Sequence, residues 1–352
     1  MSDSSPPARP AGPEIAEVDI ARDDERLHAG YTVLRDGYRA ERPPYPLDSE
    51  AEMTADLRSL DPSRTVARVL LATIGGEAAG IAAVGYPQRD NRGSARANHL
   101  VVHPDHRRSG VGRSLLDAVR VSARAAGCSV LLGEFRQESP SAPSSGRAFA
   151  EAVGAVSTAR SLEQVLDLAT VTATDVDRLR AQALAVAPAA ARYDILRWAD
   201  RVPDDLLEAW AALRGRMSTD VPPEDRPDEP EVWDGARVRD SERRYGASGR
   251  TQIVAAARHR GTGELVGYTF LSVARKGPET AYQEDTIVVA EHRGHRLGLL
   301  LKADALQRLR TASPATSRVL TWNAATNTPM LGVNAALGFR VRGEECEVRL
   351  EL

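Results

Sequence analysis

The sequence predicts an α/β protein built from two similar units in tandem, and three observations support this. A basic, glycine-containing turn occurs twice, around Arg107 and around Arg293, each time between an apolar β-branched stretch and an Ala/Leu-rich helical pattern. A hairpin pattern with a glycine-containing turn precedes each basic turn. Each unit closes with a helix that ends in glycine, at Gly154 and at Gly338. Corresponding elements stay about 186 residues apart, which indicates a duplicated domain.

The elements of each unit follow from local patterns. Alternating residues on both sides of Gly75-Gly76 and of residues 261–264 predict two hairpins. In the first unit we expect strands at 15–20, 68–74, 79–86, 100–102 and 128–135, and helices at 22–39, 111–126 and 146–154. In the second unit we expect strands at 193–198, 252–259, 265–273, 286–289 and 318–323, and helices at 297–311 and 329–338. A final strand follows the closing glycine of each unit.

Between these units the pattern predicts a connection and a loop. A helix is expected over 174–187, capped by Thr172 or Thr174. Residues 217–240 are acidic and rich in proline, which predicts an irregular loop that is either functional or merely solvated. We therefore divide the chain into a disordered tail at 1–13, an N-terminal unit at 14–170, a connecting helix at 171–190 and a C-terminal unit at 191–352.

Length and composition narrow the class of protein. A chain of 352 residues exceeds the usual size of one hydrophobic core, in agreement with two domains. The net charge of −3 gives no reason to expect nucleic acid or a membrane surface as partner, and no apolar run is long enough for a membrane span. Only Cys128 and Cys346 are cysteines, so a reducing cytoplasm is expected. The oligomeric state is left open between monomer and homodimer.

The two basic turns have the chemistry of a phosphate site. Backbone N–H groups at a helix N-terminus are unpaired, the helix dipole is positive there, and glycine lets the main chain approach an anion closely. Arginines add positive charge to each turn. The histidines near the turns, His103, His106, His292 and His295, are too scattered for the three or four convergent ligands of a metal site, so no metal is predicted.

The order strand, Arg-x-x-Gly-x-Gly turn, helix, strand, helix with a Leu-Gly-Phe ending resembles the GCN5-related N-acetyltransferase (GNAT) family. The resemblance covers nearly the whole chain after residue 14, with the tandem layout of mycothiol synthase-like members. It implies two domains, each with a mixed, mostly antiparallel twisted sheet flanked by helices. It also implies acetyl-CoA, or another acyl-CoA, as co-substrate, with its pyrophosphate on the turn and its pantetheine arm in a gap of the sheet.

The resemblance transfers cofactor contacts to both units. The expected positions are Val101, Val102, Arg107, Arg108, Ser109, Gly110, Val111, Gly112 and Arg113 in the first unit, and Val288, Val289, Arg293, Gly294, His295, Arg296, Leu297, Gly298, Asn323 and Asn327 in the second. The first turn matches the motif unaltered, whereas Arg296 replaces the middle glycine of the second turn, where we expect close approach to an anion to be harder. The Asn-rich segment around Asn323 and the Leu-Gly-Phe ending are present only in the second unit.

Acetyl transfer to an amine requires a base for the ammonium proton and an acid for the departing thiolate. The family often uses a tyrosine as acid, four residues before the closing glycine, where this chain has Ala150 and Asn334. Neither unit therefore has that acid.

Candidate bases are Glu284 and Asp285, at the start of the second central strand, where the first unit has Asn98 and His99. Because neighbouring residues of a strand point to opposite faces, we expect at most one of the two carboxylates in the site. A solvated strand edge is the alternative role for both carboxylates.

The sequence thus predicts an acetyl-CoA-dependent N-acyltransferase that modifies a primary amine of a small molecule or peptide. By analogy with tandem members, the C-terminal unit is the expected catalytic one. The alternative is a partly degenerate protein that binds or senses acyl-CoA without turnover. An acidic loop at 217–240 would suit a cationic acceptor, through Asp220, Glu224, Asp225 and Asp228.

Overall fold

In the computed structural model the described residues are 12–41, 47–185, 192–220 and 229–352. They form a single twelve-stranded sheet with helices packed against it. The strands are β1 (Glu14–Val18), β2 (Thr65–Ile74), β3 (Glu77–Pro87), β4 (Ser94–Val102), β5 (Val130–Gln137), β6 (Val156–Asp167), β7 (Tyr193–Ala199), β8 (Arg250–His259), β9 (Leu265–Ala274), β10 (Thr280–Val288), β11 (Arg318–Ala324) and β12 (Arg340–Glu351). The helices are α1 (Asp24–Arg39), α2 (Glu50–Ser59), α3 (Val111–Ala125), α4 (Ser145–Ala152), α5 (Ala173–Ala185), α6 (Leu207–Gly215), α7 (Met217–Asp220), α8 (Gly235–Ala247), α9 (Leu297–Ala312) and α10 (Thr328–Ala336).

The helix after each basic turn carries the apolar stripe that holds it to the sheet. Along α3, Val111, Leu115, Val119 and Ala123 are buried at spacings of four residues, so one face packs against β3 and β4. The equivalent helix α9 is buried over most of its surface, against β8, β9 and α5. This packing fixes the turn at the start of each helix relative to the end of the preceding strand.

Ten of the twelve strands follow the order β1 to β5 in one half and β7 to β11 in the other. The two remaining strands are exchanged between the halves. The C-terminal strand β12 lies beside β5, and β6 lies between β12 and β11. Buried Glu163 of β6 forms ion pairs with Arg136 of β5 and with Arg342 of β12 at this exchange. One sheet therefore runs through both halves.

Each half contains a gap in the sheet. Strands β4 and β5 are parallel and pair only through Ser94–Arg96, and β10 and β11 pair only through Thr280–Tyr282. A bulge follows in both central strands, at Asn98 in β4 and at Glu284-Asp285 in β10. Past the bulge the parallel strands diverge, so a cleft opens toward the basic turn.

The structure corrects one expectation about the chain between the units and decides between two alternatives in another. The segment 217–240 is not one irregular loop, because α7 and the first turns of α8 lie within it; residues 221–228 lie outside the described residues. The connecting helix begins at Ala173, and the Thr172 hydroxyl accepts from the backbone N–H of Asp175 at 3.1 Å, so Thr172 is the cap. No helix in the described part of the chain is long and apolar enough to cross a membrane.

The predicted domain bounds stay a prediction. The exchanged strands join both halves into one sheet, so the sheet does not mark where one domain ends and the other begins. Residues 1–11 of the expected tail at 1–13 lie outside the described residues. Most other expected elements are present with ends shifted by one to four residues.

Candidate active site

The first basic turn places a helix N-terminus at the open end of the first cleft. Arg108 and Gly110 adopt left-handed backbone conformations, with φ of 66° and 91°, and α3 begins at the next residue. A Cβ at Gly110 would meet no atom within 4 Å, so the turn is open on the side that this glycine faces. Arg107 is anchored by an ion pair with Glu41 at 3.1 Å. The turn is thus preformed, with unpaired N–H groups at its centre.

The first cleft is a cavity of about 530 Å³ between β4, β5, α3 and α4. Its lining includes the expected residues Val101, Val102, Arg107, Arg108, Gly110, Gly112 and Arg113. The inner wall is apolar, with Leu116, Phe135, Phe149, Ala150 and Val348. A narrow apolar slot that ends at a basic turn fits a long chain with a phosphate group, such as the pantetheine arm of an acyl-CoA.

Gly112 has a steric role in this cleft. A Cβ at this position would lie 3.2 Å from the Phe149 ring and 3.5 Å from Val102, so a larger residue would narrow the slot. The expected contacts Ser109 and Val111 do not line it. The Ser109 hydroxyl donates to the carbonyl of His106 at 2.6 Å, and Val111 is buried in the core.

The second basic turn has the same backbone shape with the residues in the opposite order. Gly294 and Arg296 are left-handed, with φ of 80° and 54°, at the positions of Arg108 and Gly110. Each turn therefore has one glycine and one arginine at its two left-handed positions. The substitution by Arg296 does not change the path of the main chain.

The side chains around the second turn are directed to protein partners. Arg293 donates to the carbonyls of Val288 and Asp220, both at 2.9 Å. His292 bonds through Nδ1 to the Tyr193 hydroxyl at 2.8 Å, and the rings of His259 and His295 pack close by. Val289 and Leu297 are buried in the core. Among the described residues no group of histidine, cysteine or carboxylate side chains is arranged to hold a metal ion.

The interior of the second half differs sharply from the first cleft. The Lys302 ammonium donates to Asn334 Oδ1 at 2.7 Å, and Asn334 Nδ2 donates to Gln164 Oε1 and to Asn323 Oδ1, both at 2.7 Å. Lys302, Asn334 and Gln164 are buried, and burial lowers the pKa of Lys302 to about 7. Asn327 caps α10 by accepting from the backbone N–H of Met330 at 3.3 Å. The Asn-rich segment therefore forms a polar network and a helix cap.

A second, larger cavity of about 1470 Å³ lies between the halves. We call it the central cavity; α2, α6, α8 and the strands around both bulges contribute to its lining. It shares Asn98, His99 and Glu134 with the first cleft, so the two spaces meet at these residues. Aromatic residues of the second half that line this cavity are Trp233, Tyr245, Tyr282 and Trp322.

Titratable groups cluster where the two spaces meet. The Tyr38 hydroxyl lies 2.8 Å from His99 Nδ1. Burial lowers the pKa of His99 to about 4, and burial beside Glu134 raises the pKa of Tyr38. Tyr38 is therefore the donor in this bond, and the neutral ring of His99 carries its proton on Nε2.

Glu345 belongs to the same cluster although it lies on the exchanged strand β12. In the β12–β5 ladder its backbone lies opposite that of Arg136, and its side chain lines the central cavity. Burial, with the negative charge of Glu134, raises the pKa of Glu345. Sequence reasoning missed this residue, because nothing in the repeat indicates that the C-terminal strand joins the first half.

Glu284 and Asp285 both line the central cavity, contrary to the expectation that at most one would face the site. The bulge of β10 breaks the alternation of side chains and turns both carboxylates to the same space. Asp285 forms an ion pair with Arg214 at 3.4 Å and accepts from the Tyr268 hydroxyl at 3.2 Å. Burial, then the charge of Asp285, raises the pKa of Glu284 to about 7.

Comparison with known proteins identifies the fold. The family model described as "Acetyltransferase (GNAT) domain" matches residues 66–154. A tandem GNAT protein from the clavulanic acid biosynthesis pathway is similar in structure, with 28% identity, 96% of this chain and 98% of that chain covered, and a TM-score of 0.78. A GCN5-related N-acetyltransferase from Sphaerobacter thermophilus, at 15% identity, covers 96% of this chain and 95% of its own, with a TM-score of 0.67.

Comparison with curated protein sequences gave no significant match. The matched domain contains the first basic turn and the first cleft, and the tandem relative extends the similarity over both halves. The fold is therefore one that carries out acyl transfer, and acetyl-CoA is the co-substrate of its family. Residues 66–154 therefore match the GNAT acetyltransferase domain, and the chain as a whole has the fold of tandem GNAT proteins.

Proposed function

We propose that the first half binds acetyl-CoA or another acyl-CoA, and that transfer to an amine takes place where the first cleft meets the central cavity. The observation that carries this proposal is a position-by-position contrast between the halves. Leu116, Ala150, Phe135 and Val348 line the first cleft, where the second half has Lys302, Asn334, Asn323 and Gln164. An apolar slot accepts an acyl-pantetheine chain, whereas a hydrogen-bonded lysine network would have to be broken to admit one.

This proposal reverses the expectation that the C-terminal half is catalytic. The resemblance favoured that half because of its Asn-rich segment, but Asn323 and Asn327 already have partners within the protein. We retain the two units at 14–170 and 191–352 as the proposed domains, with β6 and β12 exchanged between them. The C-terminal half then completes the first half with a strand and forms one side of the acceptor space.

The residues of the first half fit an acyl-CoA. Arg107, Arg108 and Arg113 surround the open N-terminus of α3, where a pyrophosphate would be held, and Gly110 leaves room for it. The unpaired edge of β4 beyond Arg96 offers main-chain groups to the pantetheine amides. The bound group supplies an acyl carbon activated by its bond to sulfur.

The cluster at the junction can handle the protons of the transfer. A C–N bond forms, the C–S bond breaks, the amine loses a proton and the departing sulfur gains one. Glu345 and Glu134 attract the substrate ammonium, and a carboxylate with a raised pKa accepts its proton near neutral pH. His99, held by Tyr38, presents an Nε2–H donor for the developing negative charge. We propose these residues in place of the tyrosine that Ala150 replaces.

Calorimetry with acetyl-CoA tests the assignment of the cofactor to the first half. We expect one binding site per chain, and we expect Gly110→Glu to abolish binding because a carboxylate would occupy the phosphate position. Gly298→Glu introduces the same side chain at the second turn, at the position that corresponds to Gly112, and should leave binding intact. Two sites per chain, or loss of binding only in Gly298→Glu, would overturn the assignment. No binding by the unaltered protein would overturn the transferase function itself.

A further inference from the structure

The charged groups of the central cavity show what kind of acceptor it suits. Eight arginines line the cavity, and each forms an ion pair with a carboxylate of the protein. These arginines are Arg64, Arg89, Arg96, Arg214, Arg237, Arg244, Arg250 and Arg349. Among the described residues, the arginines available to an anionic acceptor therefore already have a carboxylate partner.

Two carboxylates that line the central cavity have no such ion pair. In the described part of the chain, neither Glu284 nor Glu345 has an ion pair or a side-chain hydrogen bond. The arginines nearest to Glu284 are occupied: Arg250 pairs with Asp48 at 3.1 Å and Arg214 pairs with Asp285 at 3.4 Å. Both side chains are half-buried, and a partly desolvated carboxylate without a direct counter-ion is stabilised when a cation binds beside it.

The two carboxylates lie on strands in different halves of the sheet. Glu345 lies in the cluster with Glu134, at the end that joins the first cleft. Glu284 lies on the bulge of β10, at the position that Asn98 has on the bulge of β4. The second half has thus lost its apolar slot while its bulge still presents a carboxylate to the shared space.

We propose that the acceptor carries two cationic nitrogens, one acetylated beside Glu345 and the other bound by Glu284. This inference rests on the proposed function, because it takes the junction with the first cleft as the place of transfer. A diamine or polyamine has this chemistry. Tyr282 and Trp322, whose ring centroids lie 6.1 Å apart, line the same cavity and offer apolar surface to a carbon chain.

The experiment compares putrescine with butylamine, which has the same carbon chain and a single amine. Calorimetry on the full-length protein without acetyl-CoA measures binding directly. We expect putrescine to bind about tenfold more tightly, since one additional charge-assisted hydrogen bond contributes about 1.5 kcal/mol. Glu284→Gln should remove this preference, while Glu284→Asp, which keeps the charge, should retain part of it. Glu264→Gln removes an exposed carboxylate of the same half and should leave the preference unchanged.

Equal affinities for both amines, no binding of either, or a preference that survives in Glu284→Gln would overturn the proposal. Thermal unfolding of each variant detects a folding defect. If Glu284→Gln is destabilised, the putrescine preference of Glu284→Asp, which keeps the charge, shows whether the carboxylate binds the second nitrogen. Acetyl-CoA binding is titrated separately on the same samples. If acetyl-CoA binds to one site and the amines do not discriminate, the dicationic acceptor is wrong and the transferase function stands. If acetyl-CoA does not bind, the transferase function is wrong whatever the amines do.

Discussion

The two halves of this protein share a backbone fold and differ in the side chains behind the basic turn. Both have a bulged central strand, a turn with two left-handed residues and a helix that begins at that turn. In the first half the slot behind the turn is apolar and open, and in the second half Lys302 and its amide partners occupy the corresponding space. The turn alone therefore does not define a cofactor site; the residues behind it do.

The exchange of β6 and β12 makes the difference between the halves possible. The second half supplies β12 to the first cleft and Glu284 to the central cavity, so under our proposal it contributes to the site without binding a cofactor itself. The following predictions test this division, beginning with the strands that join the halves.

The largest expected effect comes from the ion pairs at the exchange. Glu163 is fully buried between Arg136 and Arg342, so Glu163→Gln removes a buried carboxylate that both arginines share. We expect a loss of about 3–5 kcal/mol in the free energy of unfolding, measured by chemical denaturation.

The control is Glu17→Gln, which removes the exposed pair of Glu17 with Arg68 and should cost about 1 kcal/mol or less. If both variants lose the same small amount, the ion pairs at the exchange do not hold the halves together.

The next effect tests the slot by exchanging residues between the halves. Leu116→Lys places in the first cleft the side chain that the second half has at Lys302. A buried ammonium without the amide partners of Lys302 disfavours an apolar chain beside it, and we expect acetyl-CoA affinity to fall about 100-fold. Leu116→Met keeps the volume and the apolar character and should bind normally. Calorimetry distinguishes the two, and unchanged affinity in Leu116→Lys would place the cofactor elsewhere.

Replacing the proposed base, Glu345, should lower turnover by a comparable factor. Glu345→Gln keeps the shape of the side chain and removes its ability to accept a proton, so kcat should fall about 100-fold with acetyl-CoA affinity unchanged. The assay follows release of the CoA thiol with putrescine as acceptor. Glu264→Gln, which removes an exposed carboxylate that lines neither cavity, is the control. An unaltered kcat in Glu345→Gln would assign the base to another residue of the junction.

More of the fold than of the candidate site could be predicted from the sequence. The repeat, the hairpins and the basic turns are local patterns, and they indicate the family and most element positions. The exchange of β6 and β12 is not local, since a strand at the end of either half has the same pattern whichever sheet it joins. Glu345 could therefore not be placed beside Glu134 without the structure.

The Asn-rich segment matches a family motif and also has partners within the protein. Asn323 matches the family pattern, but its amide is used within the protein because Lys302 and Asn334 lie behind it. One signal was present: Lys302 is one of two lysines in the chain and interrupts the apolar run Leu299-Leu300-Leu301. A charge in the buried face of a helix indicates a polar partner in the core. The acidic-loop hypothesis stays a prediction, because three of its four residues lie outside the described residues and Asp220 is paired with Arg216.

The smallest expected effect concerns the buried lysine and its pH dependence. Burial lowers the pKa of Lys302 from 10.5 to about 7 in the folded protein, whereas the unfolded chain keeps the higher value. Between pH 7 and 10.5 the unfolded state therefore binds more protons at this site than the folded state, and stability rises with pH across this window. The contribution is roughly 1 kcal/mol between pH 7 and 8, obtained as the difference in unfolding free energy between the unaltered protein and Lys302→Met. Other titrating groups are common to both proteins and cancel in that difference. If the two proteins respond equally to pH, Lys302 titrates normally and the second slot is more open to water than the first. The contrast between the halves would then lie in polarity alone, and a second, weaker acyl-CoA site would be expected there.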